Sequence, residues 1–388
     1  EEDLFIFDIA NNHQGSLEHG LNIIKAFGKV ARTLDIKAVF KFQFRDLDTL
    51  IHPDHLDSKD NKHISRFTST KLSLNDYTKL LNQVKKEGLL SMCTPFDEKS
   101  VDNIIALDFD FIKVASCCAK DWPLLSKISK AYMPIVISSG GLSIKDIDKL
   151  VSFFSHKGNS FALMHCVSVY PSNDDQLSLN QINLLKERYP NISIGWSTHE
   201  HPDNTLAVSI AKAKGASLFE RHVGLVTDEI SLNSYSSTPD QATEWINSYK
   251  RTKAICGNDM IRTHPDNEKH SLDILKRGVY IKNDIEEGQK LSREAVFFAM
   301  PLLENQIDSG SWKDSMEIKQ NMRANQPISW DQIKSLKDSN NNRILKEAVH
   351  EIKALLNKAS IVLNSDFDIE FSHHYGKDKF LEVGTFII

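Results

Sequence analysis

Short apolar runs recur along the first 256 residues, and each run ends in polar residues before a helix-like segment begins. Eight such runs alternate with eight segments whose apolar residues recur at helical spacing. The runs are continuously apolar, which is typical of a parallel sheet that helices cover. This alternation predicts a (β/α)8 TIM barrel, a fold in which the chemistry gathers at the carboxyl ends of the strands.

The sequence changes character after Gly257, where the barrel pattern stops. We predict a barrel domain over residues 1–262, a linker over 263–275, a small β-rich module over 276–336 and a C-terminal extension over 337–388. The module contains two similar phrases, at 282–289 and 322–328. Because the chain stops within an apolar run, and domains seldom end on a strand that has just begun, we expect the extension to be a partial third domain.

Charge and composition exclude several classes of protein. A net charge of −5 argues against non-specific nucleic-acid binding, which needs a basic surface. No stretch approaches the roughly 20 apolar residues of a membrane span. Five cysteines, an odd number without zinc-binding spacing, predict reduced thiols and a cytoplasmic location.

Two histidines, His199 and His222, end the seventh and eighth predicted strands, which are neighbours in a barrel. Imidazoles placed side by side, with positions left open for water, suit a divalent transition metal or zinc. Two polar histidines at the barrel rim without a metal would give the same pattern. The spacing alone leaves both interpretations open.

Two lysines, Lys41 and Lys113, end the second and fourth predicted strands. Hydroxyl side chains lie at neighbouring strand ends: Thr94, Ser116, Ser138 and Ser197. Two ammonium groups among hydroxyls favour a pocket for phosphate or carboxylate. The alternative is a pair of lysines whose stems pack in the wall while their ammonium groups reach water. The chain has neither a P-loop nor a dinucleotide-binding glycine motif.

Two acidic residues accompany these strand ends. Asp8 ends the first strand and Glu220 lies within the eighth, so either is a candidate general base or a partner of a metal-bound histidine. For Glu220 a structural role is an equal alternative.

Several other reactive side chains receive a structural interpretation. The cysteines at 93, 117, 118 and 166 are predicted to be small buried residues rather than nucleophiles. His13, His52, His55 and His63 are predicted to face solvent, although the long polar segment that carries the last three could form a lid.

The order and spacing of these strand ends resemble the sialic acid (N-acetylneuraminate) synthase family across the whole predicted barrel. The motifs that carry the resemblance are Asp8-Ile9-Ala10-Asn11-Asn12-His13-Gln14-Gly15, Lys41-Phe42-Gln43, Thr94-Pro95-Phe96-Asp97, Lys113-Val114-Ala115-Ser116, Ser138-Ser139-Gly140, His165-Cys166-Val167-Ser168-Val169-Tyr170-Pro171, Ser197-Thr198-His199 and Glu220-Arg221-His222. The module after the linker resembles the family's antifreeze-like (SAF) domain. Residues 370–376 are similar to the start of a cupin-type domain.

The resemblance implies a condensation of phosphoenolpyruvate (PEP) with an open-chain aldose, such as N-acetylmannosamine or a related sugar. The products would be a sialic-acid-like 3-deoxy-2-keto sugar acid for surface polysaccharide and phosphate. It implies PEP binding by Lys41, Thr94, Lys113, Ser116, Ser138, Ser168 and Ser197. It also implies manganese or magnesium on His199 and His222, and Asp8, Gln43 and Tyr170 around the sugar. The expected assembly is a homodimer in which the SAF module covers the partner's barrel.

The chain departs from the family pattern at four positions, one of which is Thr198, where an Asp commonly precedes the first metal-binding histidine. Asp8 stands where the family usually has Glu, Cys118 where an acidic residue contacts the amino sugar, and Met300 where an arginine reaches the partner's site. We therefore hypothesise that the acceptor is an aldose other than N-acetylmannosamine, without the 2-acetamido group.

Two other functions fit a barrel of this kind. One is a metal-dependent aldolase or isomerase that does not use PEP, against which the pair Lys41 and Lys113 argues. The other is a carbohydrate-binding homologue that has lost catalysis and would bind sugar without releasing phosphate.

Overall fold

The computed structural model describes residues 3–56, 61–257, 262–334 and 350. The chain divides into two compact units, residues 1–260 and 261–388. The first unit contains a closed barrel of parallel strands in chain order, which confirms the predicted fold. Its strands are β1 Leu4–Asp8, β2 Ala38–Phe44, β3 Leu90–Pro95, β4 Phe111–Val114, β5 Ile135–Ser138, β6 Phe161–Cys166, β7 Ile194–Thr198 and β8 Leu218–His222.

Helices connect the strands, as parallel neighbours require. In the first unit they are α1 Leu17–Thr33, α2 Leu47–Leu50, α3 Lys62–Ser69, α4 Leu74–Lys86, α5 Glu98–Ala106, α6 Trp122–Ser129, α7 Ile144–His156, α8 Asn180–Arg188, α9 Leu206–Ala213 and α10 Pro239–Cys256. Many begin at a polar side chain that accepts a backbone N–H, such as Ser16 for α1 and Ser143 for α7. None of the described helices has the length and apolar character needed to cross a bilayer.

Alternation along the strands separates two layers of side chains. Phe5 and Phe7 of β1 pack outward against the helices, whereas Ile6 lies in a second apolar cluster inside the barrel. That apolar cluster includes residues of six strands, among them Ile6, Val39, Met92, Val136, Met164 and Leu218. Because strand side chains alternate, the residues two positions further on also point inward. These are Asp8, Lys41, Thr94, Ser138, Cys166 and Glu220. The polar site therefore rests directly on an apolar floor.

The second unit contains a helix and a small antiparallel pair of strands, α11 Asp266–Asp273, β9 Gly278–Ile281 and β10 Val296–Ala299. Helix α11 lies within the segment predicted as a linker. The two similar phrases pair with each other, because Ile285 and Met322 exchange both backbone hydrogen bonds, at 2.8 and 2.9 Å. The unit has its own apolar core. Its identity as an SAF domain stays a prediction, and the C-terminal extension lies outside the described residues except for residue 350.

Candidate active site

A cavity of about 1080 Å³ opens at the carboxyl ends of the barrel strands. Every predicted site residue lines it: Asp8, Lys41, Gln43, Thr94, Lys113, Ser116, Ser138, Ser168, Tyr170, Ser197, His199 and His222. They come from seven strands or from the turns that follow them, as well as from the loop after β6. Barrel closure brings them together, because strands far apart in the sequence become neighbours or face one another.

Four charged side chains form an inner cluster at the cavity floor: Asp8, Lys41, Lys113 and Glu220. The Lys41 ammonium lies 2.8 Å from Asp8 Oδ2 and 3.1 Å from Glu220 Oε1. The Lys113 ammonium lies 2.6 Å from Glu220 Oε2. All four side chains are at most 5% exposed. Glu220 thus bridges both lysines, so its predicted role as a site residue rather than a purely structural one gains support.

The inner cluster fixes its own protonation states. Burial raises the pKa of the Asp8 and Glu220 carboxyls, but the neighbouring lysines outweigh it and hold both pKa values below their ordinary range. Burial lowers the pKa of Lys41, yet its two carboxylate partners raise it above the ordinary value. For Lys113 burial prevails over Glu220, and its pKa is lowered. Both carboxylates are therefore ionised at neutral pH, and Lys113 is the more easily neutralised cation.

Hydroxyl groups form the wall above this cluster. Gly140 donates its backbone N–H to Ser116 Oγ over 3.1 Å. A Cβ atom at position 140 would lie 2.3 Å from Ser168 Oγ and 2.6 Å from Ser116 Oγ, so only glycine leaves room for both serines. The Thr94 hydroxyl is buried, and no described residue forms a hydrogen bond with it. An unpaired buried donor in a cavity wall is suited to a ligand oxygen.

Two imidazoles lie side by side in the cavity lining. The ring centres of His199 and His222 are 5.3 Å apart. His199 Nδ1 lies 2.8 Å from the carbonyl oxygen of Val167, which can only accept, so Nδ1 carries a proton and Nε2 is the nitrogen left to act as a ligand. Burial lowers the pKa of His222 and favours its neutral form. Asp8 Oδ2 lies 3.6 Å from His222 Nδ1.

These imidazoles fit a divalent metal as a pair of nitrogen ligands. Among the residues that the structure describes, no group of three or more His, Cys, Asp or Glu side chains is arranged to hold a metal. A metal held by these two nitrogens would have its other positions open to water or substrate.

Some cavity residues were not predicted. Tyr235, from the loop after β8, places its ring 5.2 Å from Tyr170 and 5.3 Å from His222. Arg45 and Arg66 also line the cavity. These residues belong to loops or to an added helix, where no strand period marks them.

Other predictions need correction. His13 is only 1% exposed rather than solvent-facing, and burial lowers its pKa to about 4. His52, His55 and His63 are exposed but line the cavity. Cys117 is exposed and lines the cavity, contrary to the prediction that it is buried.

Cys118, the position at which the family pattern expects an acid facing the sugar, is instead buried in the apolar core. It does not line the cavity, whereas its neighbour Cys117 does. The short turn that follows β4 therefore presents the preceding residue to the cavity, so the side chain at 117 is the one placed to touch a ligand.

Comparison with known proteins identifies the family. The profile of the NeuB family matches residues 29–260, more than half of the chain. The chain belongs to the NeuB family. NeuB-family relatives include the N-acetylneuraminate-9-phosphate synthase of Drosophila melanogaster, 33% identical over 57% of this chain and 59% of that protein. The pseudaminic acid synthase of Campylobacter jejuni is 26% identical over 76% of this chain and 86% of its own length.

A solved structure agrees with this assignment. The crystal structure of spore coat polysaccharide biosynthesis protein E from Chromobacterium violaceum is 39% identical, with a TM-score of 0.83. The structural alignment covers 86% of this chain and all of the Chromobacterium violaceum chain. The predicted resemblance to sialic acid synthases is thus confirmed. Homology to synthases of sialic-acid-type sugars also supports the prediction that this chain is a synthase.

Proposed function

We propose that the chain condenses PEP with an open-chain aldose to give a 3-deoxy-2-keto sugar acid and phosphate, for surface polysaccharide biosynthesis. The observation that carries the proposal is the buried pair Lys41 and Lys113, bridged by Glu220 beneath a wall of hydroxyls. A metal-dependent aldolase that does not use PEP would not require two buried ammonium groups at the cavity floor. The NeuB membership supports the same choice.

The inner cluster and the hydroxyl wall suit PEP. PEP carries up to three negative charges, and charge-assisted hydrogen bonds from ammonium groups are the strong ones. Lys41 and Lys113 would bind it from below. Hydroxyl groups would bind it from the side: Thr94, Ser116, Ser138, Ser168 and Ser197. Gln43 and Tyr170 would then lie along the acceptor aldose, with Asp8 next to the reacting carbons.

The reaction joins two carbons and breaks one carbon–oxygen bond. The methylene carbon of PEP attacks the aldehyde carbon, whose oxygen takes up a proton and becomes a hydroxyl. Water adds to C2 of the former PEP and loses its protons, and phosphate leaves with the oxygen that joined it to C2. Asp8 is ionised and receives a hydrogen bond from Lys41, so the two form an adjacent proton acceptor and donor for these transfers.

His199 and His222 would hold manganese or magnesium. A divalent cation there would supply Lewis acidity to an oxygen of the aldehyde. The chain's own contribution is the tautomer of His199, which the Val167 carbonyl selects, and the neutral state of His222, which burial favours. We also propose that the protein is a homodimer, as the family resemblance implies, and that it is cytoplasmic. Light scattering of the purified protein would test the dimer.

The test is consumption of PEP and release of phosphate in the presence of manganese, with a panel of hexoses, pentoses and N-acetylhexosamines. The proposal expects turnover with at least one aldose, lost in His199→Ala. His201→Ala is the matched control, because His201 is exposed and does not line the cavity. Saturable PEP binding without turnover for any sugar would favour a catalytically inactive homologue, and no PEP binding would contradict the proposal.

A further inference from the structure

Two guanidinium groups, Arg45 and Arg66, lie in the cavity wall outside the inner cluster. The cavity lining contains four cationic side chains and two carboxylates, with the histidines counted as neutral. Both carboxylates, Asp8 and Glu220, are already engaged by lysines. Within the described parts of the chain, no carboxylate lies within 4.0 Å of either guanidinium. The positive charge that remains uncompensated in the cavity is therefore that of the two arginines.

Arg45 is held in a fixed and partly desolvated position. Its guanidinium carbon lies 3.9 Å from the ring centre of Phe67 and 4.0 Å from that of Phe96, so it is stacked between two aromatic faces. Its Nη2 donates to Gln43 Oε1, and its buried Nε has no hydrogen-bond partner among the residues that the structure describes. A buried donor of this kind is costly unless something accepts from it. Because guanidinium stays charged and has a fork of donors, its natural partner is a phosphate or carboxylate.

Both arginines are connected to the side of the cavity that we assign to the acceptor. Gln43, which receives the Arg45 hydrogen bond, donates its own Nε2 to Asp8 Oδ2 over 3.2 Å. Arg66 lines the cavity together with Tyr235. Tyr235 in turn contacts Tyr170. The PEP site below already has two lysines and its hydroxyls, so an additional anion belongs to the other substrate.

We propose that Arg45 and Arg66 form an anion subsite for the end of the acceptor remote from its aldehyde. The preferred acceptor is then an aldose that carries a phosphate or a carboxylate at that end. This inference rests on the proposed condensation and specifies its second substrate. It also assigns a function to α3, which carries both Arg66 and the Phe67 ring that stacks on Arg45.

The experiment compares matched acceptors in the presence of manganese and saturating PEP. The pairs are mannose with mannose 6-phosphate, mannose with mannuronate, and N-acetylmannosamine with its 6-phosphate. The loss of the ultraviolet absorbance of PEP gives kcat/KM for each acceptor. We expect a preference of about tenfold or more for a charged member, as charge-assisted hydrogen bonds provide. Preference for the 6-phosphates alone identifies phosphate as the anion, and preference for mannuronate alone identifies carboxylate.

Variants separate charge recognition from a structural role. Arg45→Gln and Arg66→Gln should each reduce the preference for the charged acceptor by about tenfold, toward equal use of charged and neutral sugars. Arg45→Lys, which keeps the charge, should retain more of it. Arg188→Gln is the control, because Arg188 pairs with Asp148 outside the cavity and should leave the preference unchanged. An Arg45 that only supports the wall would lower kcat/KM for charged and neutral acceptors alike.

The outcomes distinguish this inference from the proposed function. PEP turnover with neutral aldoses as fast as with charged ones would overturn the anion subsite and leave the condensation intact. A rise in the KM for PEP, rather than for the acceptor, in Arg45→Gln would assign the guanidinium to PEP and overturn the inference as well. No turnover with any aldose, charged or neutral, would overturn the proposed function and this inference with it.

Discussion

Replacing the bridging carboxylate tests the inner cluster most severely. In Glu220→Gln one amide oxygen can still accept from one lysine, but the amide nitrogen then faces the other lysine, donor against donor. Lys41 keeps Asp8 at 2.8 Å. Lys113 loses the carboxylate 2.6 Å away, and its remaining described contact is Met164 Sδ at 3.4 Å. The variant therefore leaves one buried ammonium without a compensating charge.

The structure bounds the cost. At an effective dielectric constant of about 20, two unit charges 2.6 Å apart attract by about 6 kcal/mol. Lys113 can escape by losing its proton, and neutralising a lysine with an ordinary pKa of 10.5 at neutral pH costs about 5 kcal/mol. Removing one partner of a buried ion pair typically costs about 3–5 kcal/mol. We expect a decrease of about 3–5 kcal/mol in the free energy of unfolding of the barrel.

Urea denaturation followed by tryptophan fluorescence provides the assay, because Trp196 and Trp245 are fully buried in the barrel. Asp148→Asn, which breaks the surface pair with Arg188, is the control and should lose far less. The loss in Glu220→Gln should also shrink as the pH rises toward 10.5, because the unfolded chain then gives up the lysine proton as well. A loss below about 1 kcal/mol, or one independent of pH, would refute the reasoning.

Two further perturbations follow from the same site. Gly140→Ala inserts a methyl group against the Ser116 and Ser168 hydroxyls. Because overpacking costs about 1–3 kcal/mol, this variant should raise the KM for PEP by about tenfold or more. An unchanged KM in steady-state assays would contradict the placement of both serines. His13→Gln should be less sensitive to acid than the wild type. Between pH 6.5 and about 4, His13 binds a proton in the unfolded chain but not in the folded wild type. The free energy of unfolding of the wild type is therefore highest above this range and decreases by about 3 kcal/mol as the pH falls through it. Urea titrations at both ends of the window should show the difference between the two proteins closing, and a constant difference would contradict the burial of His13.

The strand ends could be predicted because they carry two signals at once. A continuous apolar run marks a parallel strand, and the polar residues after it mark the functional end. Barrel closure then turns chain order into spatial adjacency, which is why the predicted lysines, hydroxyls and histidines share one cavity. Glu220 was left between two interpretations, although it lies two positions before His222 and therefore on the same face of β8.

The residues that were missed belong to segments without a period. Arg45 and Arg66 reach the cavity through a loop and an added helix, and Tyr235 through the long connection after β8. His13 follows a strand end like the others, but its ring packs against Tyr77 of α4, at 6.3 Å between ring centres. Such contacts depend on tertiary packing, which local spacing does not encode.

The central claim is that this cavity condenses PEP with an aldose and breaks the carbon–oxygen bond of the phosphate ester. The most direct measurement uses PEP labelled with oxygen-18 only at the oxygen that joins phosphorus to C2, together with an accepted aldose. Mass spectrometry of the released phosphate reads the bond that breaks. The account predicts that the label leaves with the phosphate. Unlabelled phosphate, formed by cleavage between phosphorus and oxygen, would contradict it.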